Sequence, residues 1–261
     1  MTIFQSITEK LKQHQFLFEE LVKRDFKQKY KRTTLGMGWS LLSPLLTLVV
    51  MRLVFTQFFG RNMEHYTTYL FAGNLMFSYF KEATRGGMTA LTGNAHIFSR
   101  INVPKYIFLL SKNVSSLINF LLTLVIFFLF AAIDGVTFTW KFLLILYPVC
   151  MLLLFNLGVG LILSAMQVFF RDTAHLYDIF TLLLMYMSAI FYSVESYAPQ
   201  IQQLFLLNPV YTYIKYVRCI VLDGTIPGFG FHMLLLGYAA AALLIGGLIY
   251  KKKNQRFLYY L

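Results

Sequence analysis

The sequence predicts an all-α integral membrane protein with six transmembrane helices, and three observations carry the prediction. Among its 261 residues 58% are apolar, 18% aromatic and 13% charged, and the mean hydropathy of +0.63 is too high for a water-soluble domain. The apolar residues gather into runs of membrane-crossing length. The charges gather between those runs, so the net charge of +12 marks topology rather than a nucleic-acid surface.

The sharpest boundary lies near the start. Residues 23–32 hold six Lys or Arg, and about 24 nearly all apolar residues follow over 36–59. At ~1.5 Å per helical residue that run extends ~36 Å, enough to cross a bilayer core. Because Lys and Arg stay on the cytoplasmic side, the first span runs from inside to outside. Upstream, Phe4, Ile7, Leu11, Phe18, Leu21, Val22 and Phe26 recur at helical spacing, and Ser6 with Glu9 forms a capping box. Residues 1–35 are therefore expected to hold an amphipathic helix in the cytoplasmic interface, the alternative being a helix packed on a partner. The first 30 residues lack the continuous apolar core of a signal peptide.

Within the first span Pro44 and Arg52 stand out. Arg52 is seven residues from the outer end, so its side chain either snorkels to the outer interface or faces a polar pore. A second run, 67–80, ends at Lys81 and Glu82; it is short for a span, so either it stops there or it extends into the polar stretch that follows, and 81–105 carries no hydrophobic run and reads as a cytoplasmic connection. A third span, 114–133, meets a tight turn at Asp134 and Gly135; a fourth run, 142–170, ends at Arg171 and Asp172. Gly158 and Gly160 in that run permit close helix contact. The fifth run, 176–192, returns to the outside.

Residues 194–229 are too apolar for a loop yet are broken by Pro199, Asn208, Pro209, Gly224 and Pro227, the pattern of two short helices that re-enter the membrane. Asn208 is placed to cap the second of them, with Pro209 at its first position. Tyr211, Tyr213 and Tyr216 on that helix either meet a passing substrate or belong to an interfacial aromatic belt. A sixth span, 231–250, ends in KKKNQR. Eighteen Lys or Arg fall in segments assigned inside and four outside, Arg218 among the latter, which puts both termini in the cytoplasm.

The sequence lacks the GxxxxGK[ST] phosphate loop, so no nucleotide hydrolysis by that route is expected of this chain, and no enzyme activity of its own. Its five histidines are scattered, without HExxH or a His/Cys cluster of metal-ligand spacing. Cys150 and Cys219 make no disulfide framework. The runs hold no chain of Asp, Glu or His such as proton-coupled carriers use. What remains is a membrane path powered by something else.

Four blocks carry a family resemblance: RDFKQKYKRTTLGMGWSLLSPLL at 24–46, NAHIFSRINVPK at 94–105, GVGLILSAMQVFFRD at 158–172 and LFLLNPVYTYIKYVRCIVLDG at 204–224. In this order and on this layout the chain resembles the permease subunits of type-2 ABC exporters of O-antigen, teichoic acid and related cell-surface polysaccharides. The resemblance implies a single six-span domain over 36–261 that works as a homodimer in the bacterial cytoplasmic (inner) membrane. It implies two separate ATPase subunits that bind Mg-ATP, this chain holding no cofactor, and a polysaccharide carried on a polyprenyl pyrophosphate lipid as substrate. It also implies a coupling region at about 93–105 that docks on the ATPase, here through Asn94, Ile97, Phe98, Arg100 and Pro104, with a second cytoplasmic contact at Arg171 and Asp172. The 194–229 segment is implied to be a gate. Aromatic rings supply a flat surface over which sugar can slide, and conduit candidates are Arg52, Pro199, Asn208, Pro209, Tyr211, Tyr213 and Tyr216. The alternatives are a type-2 ABC permease for a drug or lipid and, against the missing intramembrane carboxylates, an ATP-independent channel or carrier.

Overall fold

The computed structural model describes residues 14–30, 33–59, 63–98, 103–253 and 257, and these form helices and connecting turns only. The helices are α1 (Gln15–Tyr30), α2 (Trp39–Phe59), α3 (Tyr66–Thr89), α4 (Tyr106–Ile133), α5 (Leu146–Phe169), α6 (Thr173–Met187), α7 (Pro199–Phe205), α8 (Pro209–Val221) and α9 (Phe229–Lys253), with a helical turn Ala95–Phe98 between α3 and α4. The capping box at Ser6 and Glu9 and the tail beyond Phe257 lie outside the described residues.

Among the described residues four stretches are long and apolar enough to cross a membrane: Trp39–Thr56 in α2, all of α4, Trp140–Phe169 (a 3-10 turn running into α5) and all of α9. The other two expected spans differ for separate reasons. Helix α3 is long enough, but it runs on past the expected end at Phe80 to Thr89, taking in Lys81, Glu82 and Arg85. It is the central helix, packed by α4, α5 and α8 and buried along most of its length, so its Thr, Tyr and Gly residues meet protein rather than lipid. Residues 81–89 are thus helix, not connection. Two of its three charges are paired locally and Lys81 is exposed: Glu82 pairs with Lys29 at 2.8 Å and accepts from Asn119 Nδ2 at 2.8 Å, and Arg85 pairs with Asp178 of α6 at 2.8 Å.

Helix α6 is shorter than the expected 176–192 run, since its 15 residues span ~22 Å. It stops because its end is claimed by tertiary donors. Asn208 Nδ2 donates to the Met187 carbonyl at 3.1 Å and the Ser188 hydroxyl at 3.0 Å, and Ala189 turns left-handed at φ 48°. Helix α4 in contrast starts eight residues before the expected 114. Its first turns contain Ser111, Lys112 and Asn113, made compatible with burial by Asp25 of α1, which accepts from Lys112 Nζ at 3.0 Å.

The closest packing joins α5 to α9. A Cβ on Gly158 would overlap the backbone of Ala242 and Leu243, so glycine there sets the interhelical distance. At the α1 end of the bundle Leu21 is buried with Leu91, Ile107, Phe108, Val168 and Phe257. Leu21, with Leu17 and Phe18 partly buried beside it, thus packs on its own chain, while Phe16 is exposed.

Candidate functional site

Two regions hold the residues singled out in the sequence. The first is built at the end of α3, where the chain passes through a 3-10 turn (Thr92–Asn94) into the Ala95–Phe98 turn. Asn94 is buried, not presented: its Nδ2 donates to the Ala90 carbonyl at 2.8 Å and its Oδ1 accepts from Arg24 Nη2 at 2.8 Å. Arg24 also pairs with Asp25 at 2.9 Å, and Asp25 in turn holds Lys112 and accepts from Ser111 Oγ at 3.4 Å. One acidic residue with a 2% exposed side chain therefore gathers α1, α4 and the turn after α3. Ile97 is half-buried against the cluster around Leu21. The exposed residues on the turn are Thr92, Gly93 and His96.

Pro104 is half-buried ahead of α4 and its carbonyl accepts the Ile107 amide at 3.1 Å. Phe98 closes the helical turn, and Arg100 lies outside the described residues. Arg171 and Asp172 are exposed between α5 and α6, and the Asp172 carbonyl accepts the first amides of α6 from His175 and Leu176. A hollow of about 750 Å³ opens between α1 and this turn, lined by Arg24, Lys27, His96 and Lys112. Beside it, burial lowers the pKa of the Lys105 ammonium, which sits 5.6 Å from the Phe257 ring centre.

The second region is the 188–229 segment. Pro199 begins α7 and Pro209 begins α8, and Asn208 Oδ1 accepts from the Val210 and Tyr211 amides at 3.0 and 3.4 Å. The expected cap is therefore formed. The three tyrosines of α8 point into the core. Tyr213 donates to the Leu235 carbonyl at 3.1 Å, Tyr216 bonds His232 Nε2 at 2.7 Å, and Tyr211 packs edge-on to Phe205 at 5.4 Å.

Arg218, which the sequence reading assigns to the outer side, is a core residue, 6% exposed. Its guanidinium donates to the carbonyls of Tyr69 (3.1 and 3.3 Å), Ala189 (2.9 Å) and Ile190 (3.1 Å) and lies 3.4 Å from the centre of the Tyr69 ring. Tyr66 and Tyr69 donate to the Phe191 and Tyr192 carbonyls at 2.7 and 2.6 Å. The start of α3 thus clamps the non-helical end of α6, with Arg218 as the pin. Arg52 lies apart from this, exposed on α2.

The family description "ABC-2 type transporter" matches residues 17–222. This chain belongs to the ABC-2 type transporter family. The match runs from α1 to the end of α8, so it takes in the first region and residues 188–222 of the second. Among the curated relatives, the O-antigen export system permease protein RfbA of Myxococcus xanthus is 25% identical over 96% of this chain and 97% of its own length. A second RfbA, from Klebsiella pneumoniae, is 24% identical over 93% and 95%, and the polysialic acid transport protein KpsM of Escherichia coli is 21% identical over 92% and 94%.

Two residues that organise this ABC-2 chain carried readable signals. Asp25 is the sole acid within the six-cation stretch 23–32, a placement that announces pairing. Arg218 follows Tyr211 and Ile214 by seven and four positions, which puts it on the apolar stripe of α8 rather than on a loop.

Proposed function

We propose that this chain is the membrane-spanning subunit of an ATP-driven exporter that carries a lipid-linked polysaccharide across the bacterial cytoplasmic membrane. The observation that carries the reading is the near end-to-end match, within the ABC-2 family, to proteins named for O-antigen export and polysialic acid transport. In this proposal α2, α3, α4, α5, α6 extended by 188–192, and α9 make six crossings. The hairpin of α7 and α8 enters and leaves on the outer side, and both termini are cytoplasmic, in keeping with the charge bias. The 93–105 turn, with Phe98 and Arg100, and the Arg171–Asp172 corner face two ATPase subunits, and Asn94 and Asp25 hold that surface in place.

Two copies form the conduit. Support comes from α2 and α6, whose apolar residues Val49, Val50, Leu53, Ile179, Phe180 and Leu183 are left uncovered by the chain and whose outer ends meet through stacked Phe55 and Phe191, 4.3 Å between ring centres. Arg52 shares that face. A cation facing hydrocarbon costs ~2.5–3.5 kcal/mol or more, a cost that a shared aqueous path removes. The chain alone is expected to release no phosphate from ATP, and to support hydrolysis and surface polysaccharide only with a co-expressed nucleotide-binding subunit. Robust hydrolysis by the purified lone chain ends the reading.

A further inference from the structure

A cleft of about 440 Å³ lies between α2, α3 and α4, within the ~300–1,000 Å³ of small-ligand sites. It is separate from the basic hollow and from the Arg218 clamp. Each helix contributes a stripe at helical spacing: Ser40, Ser43 and Thr47 on α2; Asn74, Ser78 and Glu82 on α3; Ser116, Asn119 and Thr123 on α4. Polar stripes on apolar helices normally bond to one another across a helix interface. Here they mostly do not. Thr47 and Thr123 donate to carbonyls of their own helices, Ser43 and Asn119, at 2.9 and 3.0 Å, which leaves their oxygens able to accept. Asn119 Nδ2 donates across the cleft to Glu82 Oε1 at 2.8 Å. Among the described residues the side chains of Asn74, Ser78 and Ser116 make no hydrogen bond at all. Beside these groups stands the partly exposed ring of Trp39, while Tyr79 and Phe120 close the cleft as a buried pair packed on each other, 4.7 Å between ring centres.

The unspent amide of Asn74 and hydroxyls of Ser78 and Ser116 beside the flat Trp39 ring describe a site for a ring that is polar at its edge and apolar on its face. We propose that this cleft binds a neutral sugar ring on a lipid carrier, presented from the leaflet at the Trp39 end of α2. This rests on the exporter reading for the orientation of α2 and for a glycolipid substrate. Thr47 is eight residues from Trp39, ~12 Å along the axis, so the cleft sits within the inner-leaflet half. A fatty tail has no use for nine polar side chains, and a phosphate would meet Lys29 already paired with Glu82. A sugar uses both kinds of surface.

The test is binding by the full chain in nanodiscs, separate from transport. Trp39 lines the cleft and the chain has two tryptophans, so in a Trp140→Phe variant its emission reports occupancy. Phosphatidylcholine discs are prepared with rising fractions of monoglucosyl or monogalactosyl diacylglycerol. Parallel series contain plain diacylglycerol, which has the same tails without a sugar, or phosphatidylglycerol. A saturable emission change is expected with at least one glycolipid and with neither control. Asn74→Leu and, on the facing wall, Ser116→Ala should each raise the half-saturating fraction, the first by about tenfold, the worth of one well-made bond. An equal response to plain diacylglycerol makes the cleft a tail slot. An equal response to phosphatidylglycerol makes it an anion site. Either outcome, no saturable response to any lipid, or an unchanged response in both variants overturns the proposal. Saturable binding by a chain that gains no ATPase activity with its partner would instead count against the exporter reading alone.

Discussion

The pin at Arg218 predicts an effect for a single methyl group. Gly73 of α3 stands beside the guanidinium, and a Cβ placed there would lie 2.6 Å from Nη2. Ordinary contact begins near ~3.5 Å, so in Gly73→Ala the guanidinium retreats by roughly 0.9 Å. Its two Nη2 bonds, to Tyr69 and Ile190 at 3.1 Å each, then exceed hydrogen-bonding distance. The cation stays buried with half its bonds broken, at ~1.5–3 kcal/mol for each charge-assisted bond lost, or about 3–6 kcal/mol in all. Arg218→Met removes the cation and its bonds together, and the relieved desolvation offsets much of that loss. In the Met background the new methyl meets only Ile190, at 3.3 and 3.4 Å, for about 1 kcal/mol or less. Cys219, half-buried beside Arg218, reports the undocking of α8 through a thiol-reactive dye on heating, in a Cys150→Ser background. Gly73→Ala should lower the unfolding midpoint clearly in the parent and barely in Arg218→Met. Equal shifts in the two backgrounds would refute the pin.

Three further outcomes follow from other contacts. Asp25→Ala leaves Arg24 and Lys112 facing each other; with both partly exposed, solvent reduces the cost to ~1–3 kcal/mol, and limited trypsin digestion should cut at Lys23, Arg24 and Lys27 faster than in the parent. Gly158→Ala pushes α9 off α5, costing ~1–3 kcal/mol, seen as a lower yield of folded protein after membrane extraction, while Gly247→Ala, with open space around it, should leave yield unchanged. Single cysteines in a chain free of Cys150 and Cys219 should react with an impermeant reagent added outside at Gln200, which is exposed, and not at Tyr213, which is fully buried; labelling of Gln200→Cys from the cytoplasm alone would overturn the outer hairpin.

What the sequence made legible, and what it hid, divides by the distance to the deciding partner. The long apolar runs announce α2, α4, α5 and α9 because lipid, not a particular residue, is what they require. The cap at Asn208 with Pro209 was readable because donor and acceptor lie within three residues. Gly158 was readable as a contact point, since an apolar helix has little other use for glycine. The misplaced boundaries have partners far away in sequence. Helix α3 runs through Glu82 and Arg85 because Lys29, Asn119 and Asp178 stand opposite. Helix α6 ends early because Asn208 takes the Met187 carbonyl at its end and Arg218 takes those of Ala189 and Ile190 just beyond it. The tyrosines of α8 make the same argument at the site itself. Alternate aromatic positions on a short amphipathic helix look alike whether a sugar or a backbone carbonyl waits beyond the hydroxyl. Leu235 and His232 decide between the two here. Both belong to α9, a helix whose sequence, read alone, says only that it crosses a membrane.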